Sequence, residues 1–468
     1  MFDPITIPFW LFALLSAVAA FVIVQRFLFP GFRWFFRKKI NLAIHELNQR
    51  LNFEIRPFQL TKRQVLLDRL IHDPQVLELV HSQAISDEVP RDVLMEKVHT
   101  YSREIVPSFN AYIYYRFGYW MSKKLAMILY KVRVKTATKK HLSQVDPNAT
   151  VVFVMNHRSN MDYILVSFLI SEKMTMSYAV GEWARVWPLQ SLIKSMGAYF
   201  VRRNSRNPLY RKVLERYIAM ATKEGVCQAV FPEGGLTRDG KIRAPKLGFL
   251  DYMLRNYNHE EDRDVVFIPV GINYDRVLED RTLLRTLDPN AKKRSGWYAI
   301  KTTVKFWIHT MLLARRHQWK RFGYASVSFA NPISTKEYCE KNKVNFNQLD
   351  SEERFTQVAV LADELMHEIE KTIPAVPIVL LANVFLSSKN QPLNKEQVLS
   401  KARILIETVE SKGGQVLFPN KDKQVNLEAA MEMLCLRHLV ERDGENYLMA
   451  KNADNVLQYY QNSIHHWL

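Results

Sequence analysis

One stretch of the chain carries residue types that can move a proton. In Val151-Val-Phe-Val-Met-Asn-His-Arg-Ser-Asn-Met-Asp162 an apolar run leads into Asn156-His157, and a helix then opens with Asp162 in its first turn. A carboxylate so placed can orient the imidazole while the imidazole takes a proton from a hydroxyl. Spacing alone does not select this pair. His-x-x-x-x-Asp occurs at His141/Asp146, His157/Asp162, His259/Asp264 and His438/Asp443. In continuous helix, residues five apart are rotated by about 140° and face away from each other, so the pair works only where loop becomes helix between its members. His157 has that context. The β-branched, apolar residues 150–155 read as a buried strand. Ser159 and Asn160 are good N-cap residues, and 163–170 reads as a buried helix. The competing reading of His157 is an ordinary loop or capping histidine.

Three further apolar runs end in polar turns downstream. They are Gly197-Ala-Tyr-Phe-Val-Arg-Arg203, Val230-Phe-Pro-Glu-Gly-Gly-Leu-Thr-Arg-Asp-Gly-Lys241 and Val265-Val-Phe-Ile-Pro-Val-Gly-Ile-Asn-Tyr-Asp-Arg276. Strands followed by such turns gather their loops at one sheet edge, where open α/β sheets bind ligands. Arg202 and Arg203, near Arg206, Arg211 and Lys212, form a dense basic cluster. Guanidinium forks suit a phosphate; the alternative is a solvated basic face on an anionic membrane. Glu233-Gly234-Gly235 gives either a turn whose N–H groups point at an anion or oxyanion, or a plain turn. Arg238 and Lys241 follow in the same loop.

These four ordered blocks resemble those of the glycerolipid acyltransferases, most closely the glycerol-3-phosphate acyltransferase family, over residues 105–335 or so. More weakly, Tyr459-Tyr-Gln-Asn-Ser-Ile-His-His-Trp-Leu468 resembles the closing segment of bacterial members. The resemblance implies acyl transfer from a thioester to an alcohol. His157 would be the general base and Asp162 its orienting partner. Arg203, Glu233, Gly234, Gly235, Arg238, Lys241 and, less directly, Arg202 would form the substrate-binding set. Pro269 matches the proline that the family places along the acyl channel, although a proline merely ending a strand reads the same way. One departure bears on the acceptor: members acting on glycerol 3-phosphate usually carry an arginine where this chain has Leu236. Glycerol 3-phosphate is the expected acceptor, with 1-acyl-glycerol 3-phosphate as the alternative, and acyl-CoA or acyl-carrier protein is the expected co-substrate. No G-x-S-x-G elbow is present, so transfer is expected to be direct. Neither paired Cys/His metal spacing nor a G-x-x-x-x-G-K-[ST] loop occurs, so no metal or other cofactor is expected.

The elements that would position these residues follow from patterning. Residues 40–144 alternate apolar and charged positions at helical spacing, which predicts a helical domain. Residues 145–373 alternate strands and helices, which predicts an α/β catalytic domain with a mixed sheet and flanking helices. Residues 374–468, two helices and a hairpin turning at Asp443-Gly444, suggest a small winged-helix-like domain. That shape invites a nucleic-acid-binding reading, but the would-be second helix carries Glu428 and Glu432 and no basic row, so nucleic acid is not expected as a partner. Residues 1–39 read as a membrane anchor with a basic, aromatic flank. The run 5–24 has no charge and is long enough to span about 30 Å as a helix. Arg26, Arg33, Arg37, Lys38 and Lys39 follow it, which orients the remainder to the cytoplasm. A helix lying in the interface is the alternative, and residues 306–322 offer a second membrane-facing or ordinary surface helix. A net charge of +18 favours acidic partners such as phospholipid headgroups and phosphorylated substrates. Three scattered cysteines fit a reducing compartment.

Overall fold

The computed structural model describes residue 16 and residues 55–135, 145–171, 174–182, 185, 189–202, 205–288, 322–388, 391–418, 420 and 422–468. Apart from residue 16, the expected membrane run and its basic flank lie outside the described residues, as do His141, Arg203 and residues 306–321. Among the described residues no helix is long and apolar enough to cross a membrane.

Eleven strands are described: β1 (Lys131–Lys135), β2 (Thr150–Met155), β3 (Ser177–Gly181), β4 (Ala198–Val201), β5 (Gln228–Val230), β6 (Val265–Tyr274), β7 (Tyr324–Phe329), β8 (Ile333–Ser334), β9 (Leu393–Asn394), β10 (Val440–Asp443) and β11 (Asn446–Met449). The main sheet has the order β1-β7-β6-β2-β5-β3-β4, with β8 also paired to β6. The strands β2 to β6 run parallel, whereas β7 and β8 oppose β6, so the sheet is mixed as expected. Every residue of β2 and β6 is buried, which is what continuous Val/Ile/Phe runs require of strands covered on both faces. Pro269 lacks an N–H, yet it sits inside β6. It falls where β6's outer neighbour changes from β7, paired through Phe329 to Val270, to β8, paired through Ile333 to Phe267.

Alternation along β2 divides the core. Val152 and Val154 join the layer that contains α1 (Arg63–Ile71), α2 (Pro74–Ser86) and α3 (Arg91–Ile105). Val151, Phe153 and Met155 face the other layer, which begins with α4 (Tyr119–Leu129) and α5 (Met161–Ile170). After α6 (Leu189–Ser195), the helices α7 (Pro208–Lys223) and α8 (Gly248–Leu254) return to the first layer. Local rules place the ends of these helices. Asp73 caps α2 by accepting from the N–H groups of Gln75 and Val76, and it also receives Arg216 of α7 at 2.9 Å. Asn207 caps α7, with Pro208 in the first turn.

β1 was not expected. It lies inside the segment read as helical and pairs with β7 from far along the chain, Lys131 to Tyr324 and Lys135 to Ser328. Its Val132 and Val134 alternate with charged residues, a period-2 signal too short to stand out beside the surrounding helices.

The rest of the chain continues with α9 (Asp280–Arg285), α10 (Thr335–Asn342), α11 (Ser351–Thr372), α12 (Pro377–Ser387), α13 (Lys395–Ser411), α14 (Lys423–Leu436) and α15 (Asp454–Gln461). The hairpin β10–β11 turns at Gly444, and β9 pairs with β11. Apolar residues of α12 to α15 share one continuous core with β2 and β6. The tail is therefore packed on the sheet rather than tethered beside it. Asp275, just past β6, accepts from Ile378 N–H in the first turn of α12 and from Tyr324 N–H at the start of β7. Its carboxylate thus serves a helix N-terminus that has no side-chain cap of its own.

The end of α11 crosses β6 at Gly271, where an added Cβ would lie 2.4 Å from the carbonyl carbon of Thr372. Backbone lies against backbone there, and neither element can yield cheaply. Gly271→Ala is expected to lower stability by about 1–3 kcal/mol, read as a fall in the denaturant midpoint with the slope unchanged.

Candidate active site

The parallel strands β5, β2 and β6 are adjacent, so the loops at their C-terminal ends meet. The loop after β2 carries His157. Its Nδ1 lies 3.0 Å from Asp162 Oδ2, and the histidine side chain keeps 12% exposure while that of Asp162 has none. The remaining chemistry of Asp162 is also visible. Oδ2 accepts the backbone N–H groups of Arg158 at 2.7 Å and Ser159 at 2.9 Å, and Oδ1 accepts the Tyr274 hydroxyl at 2.6 Å. The expected capping by Ser159 and Asn160 takes a different form. Asp162 reaches back over the first turn, Ser159 Oγ accepts Met161 N–H, and Asn160 makes no side-chain cap.

Neighbouring segments hold this loop on every side. Asn156 exchanges two hydrogen bonds with the backbone of Ile272 on β6, at 2.9 and 2.8 Å. Glu279 accepts from Ser159 Oγ at 2.8 Å and from Asn160 Nδ2 at 3.0 Å. Burial raises the Glu279 carboxyl above its ordinary value. The Phe231 ring stacks on the imidazole, with centroids 4.0 Å apart.

The structure turns Glu233, expected in the substrate-binding set, into the loop after β5, where its carboxylate is taken up by backbone. Oε1 accepts His157 N–H at 2.8 Å and Oε2 accepts Arg243 N–H at 3.2 Å. Burial pushes this carboxyl up to about 7, although both backbone donors and nearby Arg158 pull it down. Gly234 has φ +67°, and its own N–H closes the turn onto Phe231 O. An added Cβ there would meet the Lys246 stem at 2.6 Å. The N–H groups of Gly235 and Leu236 have no acceptor among the described residues. Leu236 packs its side chain against the core instead of joining the site. Arg238 and Lys241 are exposed on the rim of the same loop.

Arg202 is placed apart from this group. It lies just past β4, three strands from β2 in the sheet order, roughly 14 Å at ordinary strand spacing. Its guanidinium is engaged by Glu104, at 2.8 Å from Nη2, and rests between the rings of Tyr101 and Tyr210. Glu104 also receives Arg185 at 3.0 Å. Arg202 is thus committed within the protein, and Arg203 lies outside the described residues.

Sequence reasoning missed Arg158, Tyr274, Glu279 and the tail as parts of this structure. Arg158 is 2% exposed and stacks its guanidinium on the Tyr459 ring of α15 at 5.0 Å. It donates to Gly240 O at 3.1 Å. Gly240, at φ +88°, lies so close to Tyr459 O that an added Cβ would be 1.9 Å away. Asn462 Nδ2 donates to Asp239 O at 2.8 Å. Arg437, just past α14, pairs with buried Asp280, and the Tyr460 hydroxyl donates to the same carboxylate at 2.6 Å. A buried basic residue beside the imidazole and tyrosines near the end of the chain were the available signals. Neither specifies a partner without the fold.

A family model described as glycerol-3-phosphate acyltransferase C-terminal region matches residues 308–468, and another described as acyltransferase matches residues 133–273. The glycerol-3-phosphate acyltransferase of Haemophilus influenzae (strain PittEE) is 25% identical over 427 residues, which cover 87% of this chain and 50% of that protein. The protein of the same name from Pasteurella multocida (strain Pm70) is 24% identical over 427 residues, with the same coverage of each chain. The chain thus spans about half the length of the curated relatives it matches. Among solved structures, the 1-acyl-sn-glycerophosphate (LPA) acyltransferase of Thermotoga maritima aligns with 65% of this chain and 97% of its own, at a TM-score of 0.30 and 17% identity.

The raised Glu233 carboxyl makes a signed pH prediction. Ionising it in the fold opposes burial, so its stabilising contribution is full below its ordinary value of 4.5 and is lost as pH rises through about 7. Glu233→Gln is expected to flatten the stability profile across that window in a series of denaturant melts. It should also slow turnover, because an amide keeps only one acceptor oxygen for two backbone donors.

Proposed function

The chain belongs to the glycerol-3-phosphate acyltransferase family, and from that premise we propose that it moves a fatty acyl group from an acyl thioester to the 1-hydroxyl of sn-glycerol 3-phosphate, giving lysophosphatidic acid for phospholipid synthesis. The observation that carries this reading is the His157–Asp162 contact in its loop-to-helix setting. With Nδ1 held by Asp162, Nε2 is the nitrogen left for the acceptor hydroxyl. It removes the hydroxyl proton as the oxygen attacks the thioester carbonyl. The tetrahedral intermediate collapses, the carbon–sulfur bond breaks, and the imidazolium returns its proton to the departing thiolate. The unengaged N–H groups of Gly235 and Leu236 supply the oxyanion donors. Arg238 and Lys241, with Arg203, hold the acceptor's phosphate, and the acyl chain runs along Pro269. The donor is acyl-CoA or acyl-carrier protein.

A second acceptor, 1-acyl-glycerol 3-phosphate, is favoured by one observation. Leu236 faces the core, and Phe231 lies against the imidazole, so the loop offers apolar contact where a further phosphate ligand would stand.

We assign residues 5–24 as the membrane anchor, on their lack of charge and the basic flank that follows, which places the catalytic part at the cytoplasmic face among phospholipids. The tail, with α13, α14 and the β10–β11 hairpin, is a winged-helix-like unit that holds the catalytic loops. Helix α14 carries Glu428 and Glu432 and no basic row, which suits it poorly to nucleic acid.

The test is an acceptor panel of glycerol 3-phosphate, dihydroxyacetone phosphate and lysophosphatidate with one long-chain thioester. His157→Ala should abolish transfer to every acceptor while retaining the wild-type melting profile; wild-type turnover by that folded variant overturns the reading. Arg238→Ala should raise acceptor KM about ten- to hundredfold, the loss of a charge-assisted hydrogen bond of about 1.5–3 kcal/mol. If donor KM rises instead, the rim holds the donor's phosphates. Deleting residues 1–30 should move the protein out of the membrane fraction at low salt, and full-length protein that is already soluble there refutes the anchor.

A further inference from the structure

The carboxylate of Asp162 is wholly buried and carries three donors on Oδ2 but a single one on Oδ1, the hydroxyl of Tyr274. None of these donors is an arginine or lysine side chain. The charge is therefore shared out by hydrogen bonds, and Tyr274 alone satisfies one oxygen. Tyr274 is itself fixed. It is the last residue of β6, fully buried, with its ring 5.1 Å from that of Tyr130. Tyr130 in turn donates its hydroxyl to Arg276 O at 2.7 Å. Burial and the neighbouring Asp162 charge hold the Tyr274 phenol well above its ordinary range, so it remains an O–H donor.

We propose that Tyr274 is a positioning residue that acts through Asp162, setting both the orientation of that carboxylate and how much of its negative charge reaches the His157 imidazole. The inference rests on His157 being the general base. Without the Tyr274 hydroxyl, Oδ1 loses its one hydrogen-bond donor, and more of the carboxylate's negative charge is left for the imidazole. The carboxylate also loses one of the contacts that fix its plane. The other ionisable groups within electrostatic reach of the pair are Glu233 from the loop after β5, Glu279 from the turn after β6, Arg158 in the same loop and Tyr459 of α15. None of them bonds to Oδ1.

The experiment is Tyr274→Phe, which removes one oxygen and keeps the ring. Two profiles are read on the full chain: kcat/KM against pH, and the 13C resonance of His157 Cε1, identified by its loss in His157→Ala. Expected are a roughly tenfold lower kcat and a move of both the acid limb and the imidazole titration to higher pH, with acceptor KM little changed. In an Asp162→Asn background the same substitution should leave the imidazole titration where it is. A fall in kcat with neither profile displaced would make Tyr274 a packing residue only and overturn the proposal, as would unchanged kinetics. Because the Glu233 carboxyl, pushed up to about 7 by burial, can also shape the kinetic profile, the resonance decides if the two profiles part. Should Tyr274→Phe not fold, 3-fluorotyrosine at 274 donates more strongly and moves both profiles to lower pH; stationary profiles again overturn the proposal. Failure of the base assignment looks different: folded His157→Ala would then turn over like the wild type.

Discussion

The arrangement depends on one buried carboxylate. Asp162 has no exposed surface, and such a charge is tolerated only if its lone pairs are met. Meeting them draws in the His157 imidazole, two consecutive backbone N–H groups and a hydroxyl from a different strand. Those demands shape the turn between β2 and α5 as much as any loop preference does. They also explain why the helix opens without an ordinary side-chain cap: the residue that would merely cap it is the same one that orients the imidazole. Helix start and imidazole orientation share one set of hydrogen bonds.

The parallel strands around β2 convert that local demand into a site. Glu233 comes from the loop on one flank, and Tyr274 and Glu279 come from the chain on the other, so each neighbour touches the turn directly. The two glutamates bond backbone and neutral side chains rather than arginine or lysine, which is why burial dominates their acidity. The outer cation Arg202 is bound to Glu104 and braces the helical layer against the end of β4.

Much of this was legible in the sequence. The strand-loop-helix reading of residues 150–170 predicted both the burial of β2 and the meeting of His157 with Asp162, because strand period and helix start are local properties. The mixed sheet followed from the alternation of elements. Partners joined across long separations were not legible. Tyr274 lies in an apolar strand whose every residue is buried, and nothing in its neighbours singles out its hydroxyl. Resemblance puts Glu233 in the substrate-binding set, yet its carboxylate turns inward to two backbone donors. Arg202 looked available because no acid is near it in sequence; Glu104 reaches it from α3.

The clamp of α15 on the loops after β2 and β5 has a consequence in time. The contact of Tyr459 with Arg158 spans 301 residues. A ribosome adding about 5–20 residues per second takes roughly 15–60 s to cover that interval. Throughout it Arg158 lacks the Tyr459 ring that stacks on its guanidinium, and Gly240, which joins it 82 residues along, lacks the Tyr459 backbone that packs on it. The nascent polypeptide therefore carries the His157–Asp162 pair long before the tail can pack behind it, and the sheet has apolar surface to shield until that tail arrives.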